Sequence, residues 1–197
     1  MMAAIVLGAG ASRRLGRPKQ TLPLGDTTVL GWVVGDVERS SLDRVVVVVD
    51  PATRAALPEL AAGRSELVEP ALPGDGCSAS LRAGLDAAGE CDAVMLLLGD
   101  MPGVDASVID AVAAGWLSGR PWGMVASYQD GPGHPFVFAA EALPELRGLH
   151  GDKAVWKLLD RNDGRIVTQP VPRRRPLDVD TPEDYQAVRA ALAPDFA

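Results

Sequence analysis

The sequence predicts an α/β protein built on a mostly parallel sheet covered by helices on both faces. Three observations carry this. Short apolar runs alternate with helical patterns along the whole chain. The strongest runs, Ala3–Leu7, Val45–Val49 and Ala93–Leu98, are apolar throughout rather than alternating, as strands buried on both faces are. These runs end at Gly8, at Asp50-Pro51 and at Gly99-Asp100, breaker residues that close a strand.

The elements follow in order. Thr27 or Thr28 caps a helix whose apolar face holds Leu30, Val33, Val34 and Val37. Asp50 and Pro51 close the second strand and open the next helix. Glu66–Glu69 reads as a third strand, and Ser78–Ala88 as a helix with Leu81 and Leu85 on one face. Asp105–Leu117 is helical and Gly123–Ser127 extended. Tyr128–Gly133 is polar and glycine-rich and reads as a loop before the short strand Phe136–Ala139. Glu141–Arg147 and Asp152–Leu159 are helical, and Arg165–Gln169 and Pro176–Val179 are short strands. Thr181-Pro182-Glu183-Asp184 opens the last helix, with proline and acids in its first turn. No repeat or low-complexity linker divides the chain, so residues 1–197 read as one domain.

Composition excludes several classes. The formal net charge of −7 argues against general binding of nucleic acid, whose phosphates attract basic surfaces. Cys77 and Cys91 have no metal-ligand spacing and read as reduced thiols of a cytoplasmic protein. Met1–Leu7 is too short for a signal peptide, and no apolar run reaches the ~20 residues of a membrane span. His134 and His150 are too isolated to suggest zinc.

In sheets of this type ligands gather beyond the carboxyl ends of the strands. Three sequence features fall there. The first is the loop from Leu7 through Gly8, Ala9 and Gly10 to Arg13, Arg14 and Lys19. Small residues let the backbone approach a ligand, and the cations that follow suit a phosphate chain. A dinucleotide fingerprint fails at Arg13, where it needs a small packing residue, and no Gly-Lys-Ser/Thr completes a P-loop. The second is Asp100, an acid at the end of an apolar strand, suited to Mg²⁺ or to a turn. The third is Leu177-Asp178-Val179-Asp180, where Asp178 and Asp180 share one side if the segment is extended. Asp180 is equally suited to cap the last helix. Ser78 and Ser80 offer hydroxyls at a helix start, for base and sugar contacts or for ordinary capping. Gly133-His134-Pro135 suits a second substrate or a loop end, and Arg173-Arg174-Arg175 a solvated cluster or an anionic ligand.

Taken together, LGAGASRRLGRPKQTLPLG, GCSASLRAGL, LLLGDMPGV, GPGHPFVF, HGDKAVWKLL and PLDVDTPEDY resemble the nucleotidyltransferases that complete molybdopterin cofactors. This MobA/MocA-like likeness spans nearly the whole chain and is nearest the molybdenum cofactor cytidylyltransferase branch. The resemblance implies a Rossmann-like αβα sandwich of the nucleotide-diphospho-sugar transferase type. It implies Mg²⁺-dependent transfer of CMP from CTP to a phosphorylated small-molecule acceptor such as molybdopterin, with a molybdoenzyme or its chaperone as partner. It places Leu7, Gly8, Ala9, Gly10, Ser78 and Ser80 against the nucleotide, Arg14 and Lys19 on its phosphates, Asp100 on the metal, and Asp180 as a second ligand. Ala9 stands where guanylyltransferase relatives tend to have glycine. Gly8 departs from the usual alanine, the stretch before Gly76 lacks an asparagine and a tryptophan, and Lys153-Ala154-Val155-Trp156 departs from a glycine and arginine pattern. Two rival readings are an NAD(P)-dependent oxidoreductase using Gly8–Gly10 and Asp50, and a non-catalytic cofactor-maturation chaperone.

Overall fold

In the computed structural model, residues 1–10, 15–70, 77–151 and 153–195 are described. The strands are β1 (Met2–Leu7), β2 (Pro23–Leu24), β3 (Thr27–Thr28), β4 (Arg44–Val48), β5 (Ser65–Val68), β6 (Ala93–Leu98), β7 (Gly123–Tyr128), β8 (Gly131–Ala139) and β9 (Ile166–Pro170). β2 and β3 form a small hairpin, and the others form one sheet in the order β5-β4-β1-β6-β8-β7-β9. β5, β4, β1 and β6 run parallel, as the unbroken apolar runs of β1, β4 and β6 predict.

β8 is antiparallel to both β6 and β7. The expected loop over Tyr128–Gly133 shrinks to the turn at Gln129 and Asp130, and Gly131–Gly133 lengthen β8. These residues pair through the backbone at Ser127↔Pro132 and Tyr128↔Gly131, so they need no apolar side chains to be strand. Gly131 lies at φ +123°, which glycine alone tolerates readily. A register shift between Val125 and Ala126 accompanies this pairing. The other correction is Pro176–Val179, which is extended but belongs to no strand. Pro172 and Pro176 have no N–H for a ladder, and the segment is held instead by Val179 N–H donating to the Asp100 carbonyl at 2.9 Å.

The helices are α1 (Val29–Arg39), α2 (Pro51–Ala56), α3 (Cys77–Ala88), α4 (Ala106–Gly119), α5 (Leu143–Arg147), α6 (Ala154–Arg161) and α7 (Pro182–Leu192). Thr28, Asp50, Asp105 and Thr181 cap α1, α2, α4 and α7 through side-chain oxygens. The alternation of side chains along each strand divides the core. Ala4, Val6, Val45, Val47, Met95 and Leu97 meet α1 and α4 on one face. Ala3, Ile5, Val46, Val48, Val94 and Leu96 meet α3, α5 and α6 on the other. Leu22, Leu24, Val29, Val179, Tyr185 and Val188 form a separate cluster beneath α7, which ties the chain's end to the segment after the first loop. Among the described residues, no helix is long and apolar enough to cross a membrane.

Helix α3 crosses β1 and β4 closely at Gly84, where an added Cβ would stand 2.4 Å from Ile5 Cγ2 and 3.2 Å from Val48 Cγ2. Ile5 and Val48 are fully buried and stiff at χ1, so they cannot give way cheaply. Glycine-to-alanine exchange in a helix ordinarily stabilises by ~1 kcal/mol. At Gly84 the sign reverses: Gly84→Ala is expected to destabilise by about 1–2 kcal/mol, because overpacking outweighs propensity. Urea denaturation of the two proteins measures this, and a stabilised variant would contradict it.

Candidate active site

β1 and β6 are adjacent, with Leu7 opposite Leu98, so the loops that follow them leave the sheet side by side. Gly8 N–H donates to the Val48 carbonyl at 2.8 Å and Gly99 N–H to the Leu7 carbonyl at 3.0 Å, extending the ladders by one residue each. A Cβ on Gly99 would sit 2.8 Å from Leu30 Cδ1 and 3.0 Å from Gly8 Cα. A Cβ on Gly8 would sit 3.1 Å from the Val48 carbonyl oxygen. The departure to glycine at position 8 therefore fits the close packing of the two loops against α1.

The first loop returns to this edge at Lys19, which opens a short 3₁₀ turn over Lys19–Thr21. Gln20 beside it donates through Nε2 to the Gly10 carbonyl at 3.2 Å, closing the described ends of the loop on each other. Lys19 Nζ then forms ion pairs with Asp100 Oδ2 and, at 2.7 Å, with Asp180 Oδ1. Three segments remote in sequence thus meet on one ammonium. Lys19 and Asp100 are largely buried, with side-chain exposures of 11% and 15%, whereas Asp180 is more open at 43%.

The electrostatics follow from that burial. Desolvation opposes the Lys19 charge, but the Asp100 and Asp180 carboxylates outweigh it and hold the lysine pKa above its ordinary value. Desolvation pushes the Asp100 pKa up; Lys19 pulls it back only in part, and the charges of Asp178 and Asp180 add to the rise. The other Asp100 oxygen, Oδ1, is buried and has no hydrogen-bond partner among the described residues. Asp178 is exposed and acts on Asp100 only through its charge. The cap of α7 is Thr181, in a capping box with Asp184, so Asp180 is not spent as a cap.

Other candidate residues fall elsewhere. Arg13 and Arg14, like Ala71–Gly76 and Asp152, lie outside the described residues. Leu7 and Ala9 are half-buried at the end of β1. Asp50 accepts hydrogen bonds from Ala52 N, Thr53 N and Thr53 Oγ1, so it caps α2 and is not offered to a ribose. Arg173 pairs with Asp105 at 2.6 Å, and Arg175 donates to the Pro132 carbonyl from its side chain and to Asp130 from its backbone. Those two arginines fasten the segment before α7. An open depression of about 740 Å³ lies between α1 and α7, but neither Lys19 nor Asp100 lines it.

Ser78 and Ser80 are buried in the first turn of α3. Ser78 Oγ donates to the Gly151 carbonyl at 3.3 Å, joining α3 to the segment before α6. Beside it opens an apolar cavity of about 180 Å³, whose walls include Leu7, Leu98, His134, Phe136 and Trp156. The aromatic lining was not foreseen from sequence, because its members come from β8 and α6 and share no local pattern. His134 stacks on Phe136 with ring centroids 3.8 Å apart, and Trp156 stands edge-on to Phe136 at 4.8 Å. Its Nδ1 lies 3.2 Å from the Leu96 carbonyl, and its own carbonyl accepts from Tyr128 Oη at 2.6 Å.

Burial holds the His134 pKa at about 4, although the Leu96 carbonyl favours the charged form. Unfolded histidine titrates near 6.5, so between those values the unfolded chain binds the extra proton. The stabilisation is complete above about pH 6.5 and is lost as pH falls toward 4, a change of about 3 kcal/mol. Denaturant titrations from pH 7 to pH 4 should show this component in the native protein and not in His134→Phe. Parallel pH profiles for the two proteins would contradict the buried neutral imidazole.

Comparison with known proteins places this geometry. Residues 4–166 match the MobA-like NTP transferase domain. The chain is 27% identical to the purine catabolism protein PucB of Bacillus subtilis, over 96% of both chains. It is 30% identical to a probable molybdenum cofactor guanylyltransferase of Mycobacterium avium, over 98% of this chain and 97% of that one. Its fold superposes on the Rv0371c homologue of Mycobacterium sp. strain JC1 with TM-score 0.86 and 37% identity, covering 98% and 97% of the two chains. The manganese complex of Rv0371C from Mycobacterium tuberculosis matches with TM-score 0.81 and 33% identity, covering 96% and 98%. The chain belongs to the MobA-like NTP transferase family and is a nucleotidyltransferase.

Proposed function

We propose that this protein is a Mg²⁺-dependent transferase that moves CMP from CTP to a phosphorylated small-molecule acceptor, most simply a molybdopterin-type cofactor, and releases pyrophosphate. The observation that carries the reading is the Lys19 ammonium held between Asp100 and Asp180 at the carboxyl edge of the sheet. Phosphoryl chemistry asks a protein mainly for positioning and charge, and this cluster offers both signs at one point.

The donor set fits a hard cation. Asp100 Oδ1 is a buried carboxylate oxygen without a hydrogen bond among the described residues, and Asp180 pairs with the same ammonium as Asp100. The described residues contain no cage of three or more His, Cys, Asp or Glu. That suits Mg²⁺, which is commonly held by one or two carboxylates together with substrate phosphates. When bound, Mg²⁺ would supply charge stabilisation to the phosphates of the donor and leaving group. Lys19 exchanges its carboxylate partners for the α-phosphate as charge grows there, and Arg14 holds the β- and γ-phosphates through its forked guanidinium. Ala9 and Gly10 bring backbone up to the nucleoside, with the glycine leaving the approach open.

Ala9 favours CTP as donor. The named activity of the M. avium relative favours GTP. A thermal-shift panel of CTP, GTP, ATP, UTP and NADPH, each with and without Mg²⁺, separates the cases. CTP with Mg²⁺ is expected to stabilise the protein most. A response to GTP alone replaces cytidylyl by guanylyl transfer, and a response to NADPH alone overturns nucleotidyl transfer.

Charge contacts of this kind are worth on the order of 3 kcal/mol in the transition state, or ~100-fold in rate. Lys19→Ala and Asp100→Asn are each expected to slow pyrophosphate release by about that factor under saturating donor. Unchanged turnover in either variant would sink the assignment.

A further inference from the structure

The carboxylates that suit a hard cation already hold a cation of the chain's own. Lys19 Nζ meets Asp100 Oδ2 and, at 2.7 Å, Asp180 Oδ1. An ammonium is a compact charge that only donates, so oxygen partners suit it as they suit Mg²⁺. The match is incomplete at one atom. Asp100 Oδ1 stays buried and without a hydrogen bond among the described residues, an acceptor that Lys19 does not satisfy.

Charge decides whether an ammonium and a metal share these carboxylates. Asp100 and Asp180 exceed Lys19 by one negative charge. A divalent cation added beside the ammonium reverses that excess, whereas one that replaces the ammonium neutralises the two carboxylates. Lys19 and Asp100 are largely buried, so water does little to screen one cation from another there. Ammonium and metal are therefore competitors for Asp100.

Lys19 does not leave unprompted. An ammonium stripped of its carboxylates in a buried place is an uncompensated charge, which is strongly unfavourable. It needs another anion within reach. Its backbone is held by the 3₁₀ turn, where Leu22 N–H donates to the Lys19 carbonyl at 3.2 Å, and by Gln20 on the Gly10 carbonyl. Its side chain is a flexible four-carbon stem that passes Gly10, where an added Cβ would stand 3.9 Å from Lys19 Cε. An anion seated against the small residues of the first loop is thus within the swing of Nζ about a fixed backbone. Resting on the nucleotidyl-transfer reading above, we propose that Lys19 is a built-in counter-cation that closes the Asp100–Asp180 pair to divalent metal until a triphosphate draws the ammonium away. Metal affinity is then coupled to nucleotide through Lys19 itself, and the exchange of partners begins when the donor binds. A permanent structural tie makes the opposite prediction, because Lys19 then stays on Asp100 and its loss leaves metal affinity unchanged or lower.

The test uses the full chain with Mn²⁺ as probe and no nucleotide, the unbound Mn²⁺ being read by electron paramagnetic resonance. Lys19→Met is expected to bind Mn²⁺ about ten-fold more tightly than the native protein, a usual size for coupling between linked sites. Lys157→Met removes the same charge from an exposed position on α6 and is expected to bind as the native protein does. Adding Asp100→Asn to Lys19→Met is expected to abolish the gain. Equal or weaker binding by Lys19→Met, a gain shared by Lys157→Met, or a gain that survives Asp100→Asn overturns the proposal.

The native protein gives a second reading that does not depend on any variant folding. It contains three lysines, so NMR of the chain labelled at lysine ¹³Cε resolves Lys19. CTP or GTP in the presence of a chelator is expected to shift the Lys19 resonance, and millimolar Mg²⁺ alone is expected to leave it in place. A shift with Mg²⁺ alone, or none with a triphosphate that raises the melting temperature, overturns the counter-cation and leaves nucleotidyl transfer standing. Absence of any nucleotide response in the native protein overturns transfer, and the triphosphate as trigger with it, so the two failures are distinguishable.

Discussion

The arrangement at the sheet edge depends on one charge balance, the Lys19 ammonium shared by Asp100 and Asp180. Neither Lys19 nor Asp100 would be ionised comfortably alone. Asp100 is buried enough that desolvation raises its pKa, and Lys19 keeps its charge against burial only because the carboxylates surround it. The pairing also fixes topology at close range. It ties the end of the first loop to the end of β6 and to the segment before α7, beside the apolar cluster that Leu22, Leu24 and Val179 share. The Asp100 carbonyl accepting from Val179 N–H repeats the tie in the backbone. Two carboxylates against one ammonium leave the cluster net negative, and exposed Asp178 adds to that field. On the Mg²⁺-dependent transfer proposed above, a divalent cation would invert that sign and suit the site to a triphosphate.

That cluster is possible because the backbones beneath it lie unusually close. Gly8 and Gly99 face each other over Leu30, with no room for a side chain on Gly99 and only a tight fit for one on Gly8. The loops after β1 and β6 therefore leave the sheet at nearly the same height, and Lys19 can reach Asp100 from a neighbouring loop. A larger residue at either position would push one loop outward and lengthen the ammonium–carboxylate contact. The glycines serve the electrostatics through packing, which is a different role from the close approach to a ligand that Gly10 offers.

Much of this was legible in the chain. Strands buried on both faces have to be apolar at every position, so Val45–Val49 and Ala93–Leu98 declare themselves. Asp100 and Asp180 could be nominated because each lies at a clear element end, and Lys19 because it closes the cation-bearing loop that follows the small residues. Two features could not be read. Gly131–Gly133 pair as strand through backbone groups alone, so side-chain pattern is blind to them. Pro176–Val179 looks like a strand but has no neighbour to pair with, and its extension is set by contacts with Gly103 and Asp100. The ion-pair geometry was also invisible, since spacing in sequence says that three charges share an edge but not that one ammonium sits between the other two.

The antiparallel course of β8 explains why charge and apolar surface lie side by side here. A parallel strand next to β6 would have begun at the opposite end of the sheet and brought only its last residue to the Asp100 edge. β8 instead descends from that edge, so its early residues, His134 and Phe136, lie level with Leu96 at the carboxyl end of β6. The β7 partner contributes Tyr128, whose hydroxyl holds the His134 carbonyl in place. Ser78 on α3 then joins Gly151, bringing the start of α6 and Trp156 over the same strands. The result is a division by polarity across a short distance. The β1–β6 side holds paired charges, and the β6–β8 side holds aromatic walls. Leu7 and Leu98, paired at the ends of β1 and β6, line the cavity as well as carry the two loops, so the charged and the apolar region share that pair of strand ends.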